Sequence, residues 1–380
     1  MSVSGNGWQT AKLGDVVELF DHMRVPLNSR ERQQRQGEYP YYGAQGIIDR
    51  IDGYIFDGRY ILVAEDGENL NSKKLPLALF ADGKFWVNNH AHILRGKPDV
   101  ADDTFLLACL NNANIKPFVT GAAQPKLSQA NLRQIEIPFA PLPVQRRIAG
   151  ILSAYDELME NNRRRIRLLE AMARALYREW FVRPCQSGKL PKGWETKKLV
   201  EVCHLTMGQS PKSEFYNETG EGQPFHQGVT DFGERFPTDR LFCTVEGRVA
   251  EAGDILFSVR APVGRLNIAD KKIIIGRGLS AIRHRKGLQA FLWEQLRARF
   301  TEDDMMGNGA IFAAVTKDDM QKIELLCPPS QVVREATRHF EPLHEQIGTL
   351  VKQTVSLRQT RDLLLPRLLS GNVELNPEAN

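Results

Sequence analysis

The apolar positions of one stretch follow a heptad repeat. Between Pro143 and Arg183 they recur in alternating steps of four and three, with Asn162 at one polar position: Ile148, Leu152, Tyr155, Met159, Ile166, Leu169, Ala173, Leu176 and Trp180. This spacing places the apolar side chains on a narrow face of a long helix, and that face requires a partner helix. A helix over residues 148 to 180 would be about 48 Å long at about 1.5 Å per residue.

The same pattern occurs a second time. At an offset of 188 residues the corresponding positions are Ala336, Phe340, Leu343, Ile347, Leu350, Thr354, Leu357, Arg361, Leu364 and Leu368. Upstream, the segment Gly7–Leu13 resembles Gly193–Leu199, and the offset there is 186 residues. The chain is therefore predicted to consist of two copies of one unit, each ending in a long helix.

We predict that the two long helices pair antiparallel. With their midpoints together, antiparallel pairing places Asn162 opposite Thr354 and Tyr155 opposite Arg361, so that polar groups meet and a cation can lie on an aromatic ring. Parallel pairing would bury the amide of Asn162 against an apolar side chain, at a cost of about 1 to 3 kcal/mol. Pro342 has no counterpart in the first helix, and we expect a break or kink there.

Short apolar runs bounded by turn residues fill the two regions outside the helices. Tyr60–Ala64 and Phe85–Val87 are predicted strands of the first region, and Ile273–Ile275 is a predicted buried strand of the second. The fold class is therefore α+β, with two tandem strand-rich domains, each followed by a long helix.

Composition narrows the class of protein. Of 380 residues, 42% are apolar and 25% are charged, and no apolar run approaches the roughly 18 residues that a membrane span needs. The N-terminus lacks a signal-peptide pattern. Five scattered cysteines without a CxxC spacing fit a reducing, cytoplasmic location. A net charge of +4 is compatible with nucleic-acid binding without requiring it.

Catalytic motifs are absent from the sequence. It has no GxxxxGK[ST] phosphate loop and no aromatic-flanked Asp/Asn-Pro-Pro motif of the amino-methyltransferases. His90 and His92 alternate as two metal ligands on a strand could, but no cysteine or carboxylate pattern converges on them. Glu65-Asp66 and Asp254 read as turn acids. We predict no metal site and no catalytic residue.

Several stretches suit binding. The segment Pro40–Gly46 interleaves aromatic residues, glycines and an amide, which fits either a ligand surface or a buried turn. Arg163–Arg165 with Arg167 form either a solvated flank of the coil or a contact for phosphates or a partner. Arginine, asparagine and glutamine are side chains that read base edges. The candidate nucleic-acid contacts are Tyr42, Gln45, Asn88, Asn89 and Lys126 in the first domain and Gln227, Arg260, Arg265, Arg277 and Asn308 in the second.

The order of variable domain, long helix, variable domain and long helix resembles the specificity (S) subunit of type I restriction-modification systems. The segments similar to stretches frequent in its target-recognition domains are Tyr39–Ala44, Glu65–Gly67, Phe85–His92, Ser258–Gly264 and Ile275–Leu279. The resemblance implies that each domain reads half of a split double-stranded DNA target. It also implies that the helices dock methyltransferase (M) subunits, which carry S-adenosylmethionine and modify adenine. Restriction (R) subunits join the same assembly, and the chain itself is non-catalytic and holds no cofactor.

The resemblance gives the predicted boundaries: target-recognition domains at 1–142 and 187–329, spacer helices at 143–186 and 330–371, and a tail at 372–380. Since the two domains differ in sequence, the target should be asymmetric despite the pseudo-two-fold repeat. We expect half-sites of about three to five base pairs separated by about five to nine unread ones. The alternative is a coiled-coil scaffold or assembly protein without sequence-specific DNA binding, which a salt-dependent DNA-binding assay would distinguish.

Overall fold

The structure is a computed structural model that describes residues 7–121, 124–300, 315–371 and 373. The chain divides into two compact units, residues 1–159 with 356–380, and residues 160–355. Each unit combines one strand-rich domain with parts of both long helices. The predicted α+β class with two tandem domains and an internal repeat is confirmed.

The first unit contains two four-stranded sheets. The described strands are β1 (Gln9–Lys12), β2 (Val17–Leu19), β3 (Gln36–Gly43), β4 (Gly46–Ile51), β5 (Phe56–Asp57), β6 (Tyr60–Ala64), β7 (Ala78–Ala81), β8 (Lys84–Val87), β9 (Ala91–Gly96) and β10 (Glu136–Phe139). The sheet orders are β2-β9-β6-β7 and β4-β3-β8-β5, and β1 pairs with β10. Within the second sheet β3 and β8 run parallel, with Tyr42 opposite Val87. The helices are α1 (Leu13–Val16), α2 (Ser29–Gln34), α3 (Asn69–Ser72), α4 (Asp103–Asn112) and α5 (Gln129–Gln134).

The second unit repeats this plan. After the long helix α6 (Leu142–Tyr177), its strands are β11 (Glu195–Lys198), β12 (Cys203–Met207), β13 (Tyr216–Asn217), β14 (Gln223–His226), β15 (Phe242–Cys243), β16 (Val249–Ala250), β17 (Ile255–Ser258), β18 (Leu266–Ile268), β19 (Ile273–Ile275), β20 (Leu279–His284) and β21 (Glu324–Cys327). The sheet orders are β12-β20-β17-β18 and β13-β15-β14-β19-β16, and β11 pairs with β21. The helices are α7 (Leu199–Val202), α8 (Gln289–Phe300), α9 (Lys317–Lys322) and α10 (Ser330–Leu369).

The repeat extends from sequence to strand order. The order β2-β9-β6-β7 corresponds strand by strand to β12-β20-β17-β18, and the parallel pair β3 and β8 corresponds to β14 and β19. The connections differ. Two residues, Ala44 and Gln45, join β3 to β4, whereas residues 227–241 separate β14 from its antiparallel neighbour β15. The two domains thus share a framework and differ in their loops.

The predicted seams are buried, and the helices pair antiparallel. In the first unit Ile148 and Leu152, early in α6, share a core with Leu368, late in α10. In the second unit Ile166, later in α6, packs with Ile347 and with Leu350. Of the other predicted seam residues, Met159, Asn162 and Thr354 are buried, and Tyr155, Leu169, Leu343 and Leu357 are partly buried.

Two details of the helices differ from expectation. Arg361 does not lie on Tyr155 but donates to Oδ1 of Asp156, at 2.5 Å. The break predicted at Pro342 is wrong, because α10 continues from Ser330 to Leu369, and the kink named as its alternative stays a prediction. An internal proline costs a helix about 3 kcal/mol, and burial of apolar residues on both sides of it, including Phe340, offsets that cost. No helix in the described part of the chain is long and apolar enough to cross a membrane.

Candidate nucleic-acid interface

The parallel strand pair places one loop at the same position in both domains. In the first domain the backbone N–H of Asn88, just after β8, donates to the carbonyl of Tyr42 on β3 at 3.0 Å. In the second the N–H of Gly276, just after β19, donates to the carbonyl of His226 on β14 at 2.8 Å. Each bond extends the parallel ladder by one residue. The residue that follows the donor is exposed in each domain, and these two residues are structurally equivalent: Asn89 in the first domain and Arg277 in the second.

A second loop lies beside the first in both domains. The N–H of Glu65, after β6, donates to the carbonyl of His90 at 2.9 Å, and the N–H of Val259, after β17, donates to the carbonyl of Gly278 at 2.9 Å. The two loops are therefore joined by the same hydrogen bond in each domain. The next residues on the second loop are again equivalent: Asp66 and Arg260.

A third segment completes the arrangement. The N–H of Leu127 donates to the carbonyl of Glu65 at 2.7 Å, and the N–H of Val315 donates to the carbonyl of Val259 at 2.8 Å. In the first domain this segment carries the exposed Lys126. Three connections from distant parts of the chain thus converge on one edge of each domain.

The charges at this edge of the first domain are paired within the protein. Nδ1 of His90 lies 2.6 Å from Oδ2 of Asp66. Nζ of Lys126 lies 3.2 Å from Oε1 of Glu65, whose Oε2 accepts from Arg24 at 2.6 Å. These pairs leave the amide of Asn89 as an exposed uncharged group on the loop.

A buried histidine, His92, contacts these loops from the interior of the domain. Nδ1 of His92 lies 2.6 Å from Oδ2 of Asp21, and Nε2 lies 2.8 Å from the carbonyl oxygen of Leu127. Both partners are oxygen acceptors, and the ring joins the two through its two nitrogens. Burial disfavours ionisation of Asp21, but the hydrogen bond and charge of His92 outweigh it, and the pKa of Asp21 lies below its ordinary value.

The two histidines have different partners, because His90 faces Asp66 and His92 faces Asp21. Within residues 7–121, 124–300 and 315–371, no group of three or more His, Cys, Asp or Glu side chains could hold a metal ion. Glu65 and Asp254 are also more than turn acids. Glu65 compensates Arg24, and Oδ1 of Asp254 accepts from Arg283 at 2.6 Å.

In the second domain the loops are held by two serines. Oγ of Ser210 accepts from the N–H of Arg277 at 3.1 Å and from Nε2 of Gln227 at 3.4 Å. Oγ of Ser258 accepts from the N–H of Arg265 at 2.8 Å and donates to the carbonyl of Pro262 at 2.6 Å. These bonds fix the backbones of the arginine-bearing loops and leave the arginine side chains exposed.

Most of the predicted contact residues lie at these edges. Gln45, Asn89, Lys126, Gln227, Arg260, Arg265 and Arg277 are exposed. Asn308 lies outside the described residues. Their contacts with nucleic acid stay predictions. Three residues at these edges were not predicted as nucleic-acid contacts: Asp66, His90 and Ser210. The position of Asp66 becomes evident only from its structural equivalence to Arg260.

Two predicted contacts are instead part of the framework. Tyr42 is only 9% exposed, and its ring packs against that of Phe85 with centroids 5.5 Å apart. Asn88 is buried, and its Oδ1 accepts from the N–H of His90 at 2.8 Å. In Pro40–Gly46 the tyrosines are buried on strand β3, whereas the turn residues Ala44 and Gln45 are partly buried and exposed.

The arginine run of α6 is partly paired along the helix. The carboxylate of Glu160 lies 3.8 Å from Arg163 and 3.2 Å from Arg164 and from Arg167. Such exposed pairs are characteristic of the solvated flank of a coil and contribute little to stability.

A family model for the type I restriction modification DNA specificity domain matches the chain twice, at residues 5–171 and 191–353. The chain belongs to this specificity family. Each match begins at the first strand of one copy of the repeat and extends into the long helix that follows.

Individual relatives agree with this assignment. A predicted type I restriction enzyme specificity subunit of Methanocaldococcus jannaschii is 28% identical over an alignment of 403 positions, covering 97% of this chain and 94% of that one. One of Haemophilus influenzae is 31% identical, covering 70% and 69%. The crystal structure of a type I restriction-modification S subunit from M. genitalium covers 99% of both chains with a TM-score of 0.67 at 18% identity. This member of the specificity family therefore shares its fold.

Proposed function

We propose that this chain is the DNA sequence-specificity subunit of a type I restriction-modification complex. Each globular domain reads one half of a bipartite target, and the coiled coil sets the gap between the halves. One observation carries the proposal: equal frameworks present different side chains at equivalent positions of the joined loops. Asn89 in the first domain corresponds to Arg277 in the second, and Asp66 corresponds to Arg260.

This arrangement suits sequence recognition because a base reader needs a fixed backbone and a variable side chain. Hydrogen bonds between loops hold the backbone at the same place in both domains. The side chains decide which bases are accepted. Two different sets of side chains give two different half-sites and hence an asymmetric target.

The long helices supply the spacer and the partner surface. The helix α6 contains 36 residues and is therefore about 54 Å long. Leu168 and Met172 are 65% and 53% exposed, and at about 100° per residue they lie about 40° apart on α6. We assign this apolar stripe to docking of methyltransferase subunits. Methyl transfer from S-adenosylmethionine and DNA cleavage belong to the partner methyltransferase and restriction subunits.

Insertion of one heptad into both helices tests this division of labour. Seven residues are added between Arg163 and Ala175 of α6 and at the facing part of α10, which lengthens the coil by about 10 Å. At about 3.4 Å per base pair, the gap should grow by about three base pairs while the half-sites stay the same. Methylome sequencing of cells that carry the variant with its methyltransferase reads both quantities. A fixed gap with altered half-site bases would show that the coil is not the spacer.

A further inference from the structure

We propose that Arg277 reads a guanine in the second half-site, and that Asn89, its equivalent in the first domain, reads an adenine in the first. Arg260 and Arg265 contact phosphates beside Arg277. This inference rests on the proposed function and names the base class at one position of each half-site.

The backbone of Arg277 is held rigidly enough for base reading. Its neighbour Gly278 donates to the carbonyl of Gln227 at 3.0 Å, and its own N–H is bound by Ser210. A Cβ on Gly276 would lie 2.9 Å from Cα of Gln227, and one on Gly278 would lie 2.4 Å from the carbonyl oxygen of Gln227. The two glycines therefore allow the loops to approach closely, and Arg277, which lies between the glycines in the sequence, is exposed.

The guanidinium group of Arg277 is free to bind a ligand. Arg277, Arg260 and Arg265 are exposed, and their guanidinium groups have no ion pair or hydrogen bond within the described residues. Two other arginines of this domain are engaged by carboxylates. Arg240 pairs with Asp231 at 3.1 Å and Arg283 pairs with Asp254 at 2.6 Å. Three uncompensated cations on two joined loops are the arrangement expected for a polyanion ligand.

The side-chain chemistry then selects the base. The planar fork of an arginine matches the O6 and N7 acceptors of guanine, and an asparagine amide matches N6 and N7 of adenine. In the first domain the Asp66–His90 pair at 2.6 Å takes the place of the arginine cluster, and Asn89 offers an exposed amide beside it. Arg260 and Arg265 lie on the longer neighbouring loop between β17 and β18. We therefore assign Arg260 and Arg265 to charge contacts with the phosphates of the DNA backbone, and not to two-pronged contacts with a base.

The test uses the chain assembled with its methyltransferase subunits and a random-sequence DNA library from which bound duplexes are sequenced. The variant R277A should lose discrimination at a single G·C position of the second half-site by about 10-fold to 100-fold, with other positions unchanged. R277K keeps the charge but not the fork, so it should lose the same discrimination while retaining most of the total affinity. N89A should relax an A·T position of the first half-site.

The matched control is R265A, a change of the same side chain on the adjoining loop. This variant should weaken binding to all sequences alike. The slope of log affinity against log salt concentration should fall by about one, which corresponds to one released counterion. If R277A behaves like R265A, or if the second half-site contains no guanine, the assignment of Arg277 is wrong although the chain still reads DNA. If the wild-type complex enriches no sequence, the proposed function itself fails.

Discussion

A buried carboxylate ties the second recognition domain to the long helices. Glu294 on α8 is 2% exposed, and its Oε1 lies 3.0 Å from Nε2 of His344 on α10. Nδ1 of His344 lies 2.5 Å from Nη2 of Arg235. Since a guanidinium only donates, Nδ1 is the acceptor and the ring proton is on Nε2, facing Glu294. The guanidinium of Arg235 also covers the ring of Trp293, 5.2 Å from its centroid.

We predict that Glu294→Gln destabilises this unit by about 3 kcal/mol. Burial lowers the pKa of Arg235 to about 10, and the carboxylates of Glu170 and Glu294 oppose that shift. At neutral pH the arginine is therefore still charged. Glu294 lies nearest to His344 and acts on Arg235 through its charge. Leaving a buried charged group without its compensating partner costs about 1 to 3 kcal/mol or more, and about 3 kcal/mol is a change of roughly 150-fold in the unfolding equilibrium.

Urea unfolding measures this loss, and amide hydrogen exchange locates it, with faster exchange expected in α8 and in residues 233–237. The matched control is Glu218→Gln in the same unit. Glu218 has a side chain 71% exposed and lies 3.6 Å from Arg240, so this change should stay within about 0.5 kcal/mol of wild type. If Glu294→Gln unfolds at the wild-type midpoint, Glu294 does not compensate the buried arginine and the reasoning is refuted.

Two further changes test the buried polar contacts. Burial, together with the charges of Arg235 and Arg297, lowers the pKa of His344, although Glu294 opposes this shift. The contribution of the neutral histidine to stability should therefore be complete above about pH 6.5. It should fall on acidification, by at most about 1.4 kcal/mol per pH unit. The gap in unfolding free energy between wild type and His344→Asn should therefore shrink from pH 7.5 to 5.5, and a constant gap would contradict the reasoning. Gln145→Leu should cost about 1 to 3 kcal/mol for each buried group left unpaired, because its side chain accepts from the N–H of Asp102 at 2.9 Å and donates to two carbonyls. Urea unfolding measures this loss, and the control is a change of an exposed glutamine of α10 to Leu. Equal unfolding midpoints for Gln145→Leu and the control would refute the predicted cost of the unpaired groups.

The long helices and the repeat could be predicted because they depend on local periodicity. A heptad pattern specifies the buried face of a helix, and its recurrence at an offset of 188 residues identifies the second copy. The local rule failed at Pro342. There the packing of a 40-residue helix outweighs the cost of one proline. Packing depends on residues distant in the chain, so the local sequence does not predict it.

The candidate site could be predicted only in part. Asn89 and Arg277 keep the offset of the repeat, whereas Asp66 and Arg260 are separated by six residues more, since loop lengths differ between the copies. Their equivalence is visible only through hydrogen bonds between strands. Tyr42 was predicted as a contact, but both faces of β3 are covered: Tyr41 and Tyr42 point to opposite sides of the strand and are both buried. The contact of Arg235 with His344 joins residues 109 positions apart and left no pattern in the sequence.

The central claim is that two unlike domains on one framework read two unlike DNA half-sites. Methylome sequencing of the host with and without this gene, in the presence of its methyltransferase, tests it most directly. We expect a modified motif with two different half-sites and an unread gap, and we expect every modified site of that motif to disappear when the gene is deleted. An unchanged methylome, or a motif that is uninterrupted or palindromic, would contradict the account.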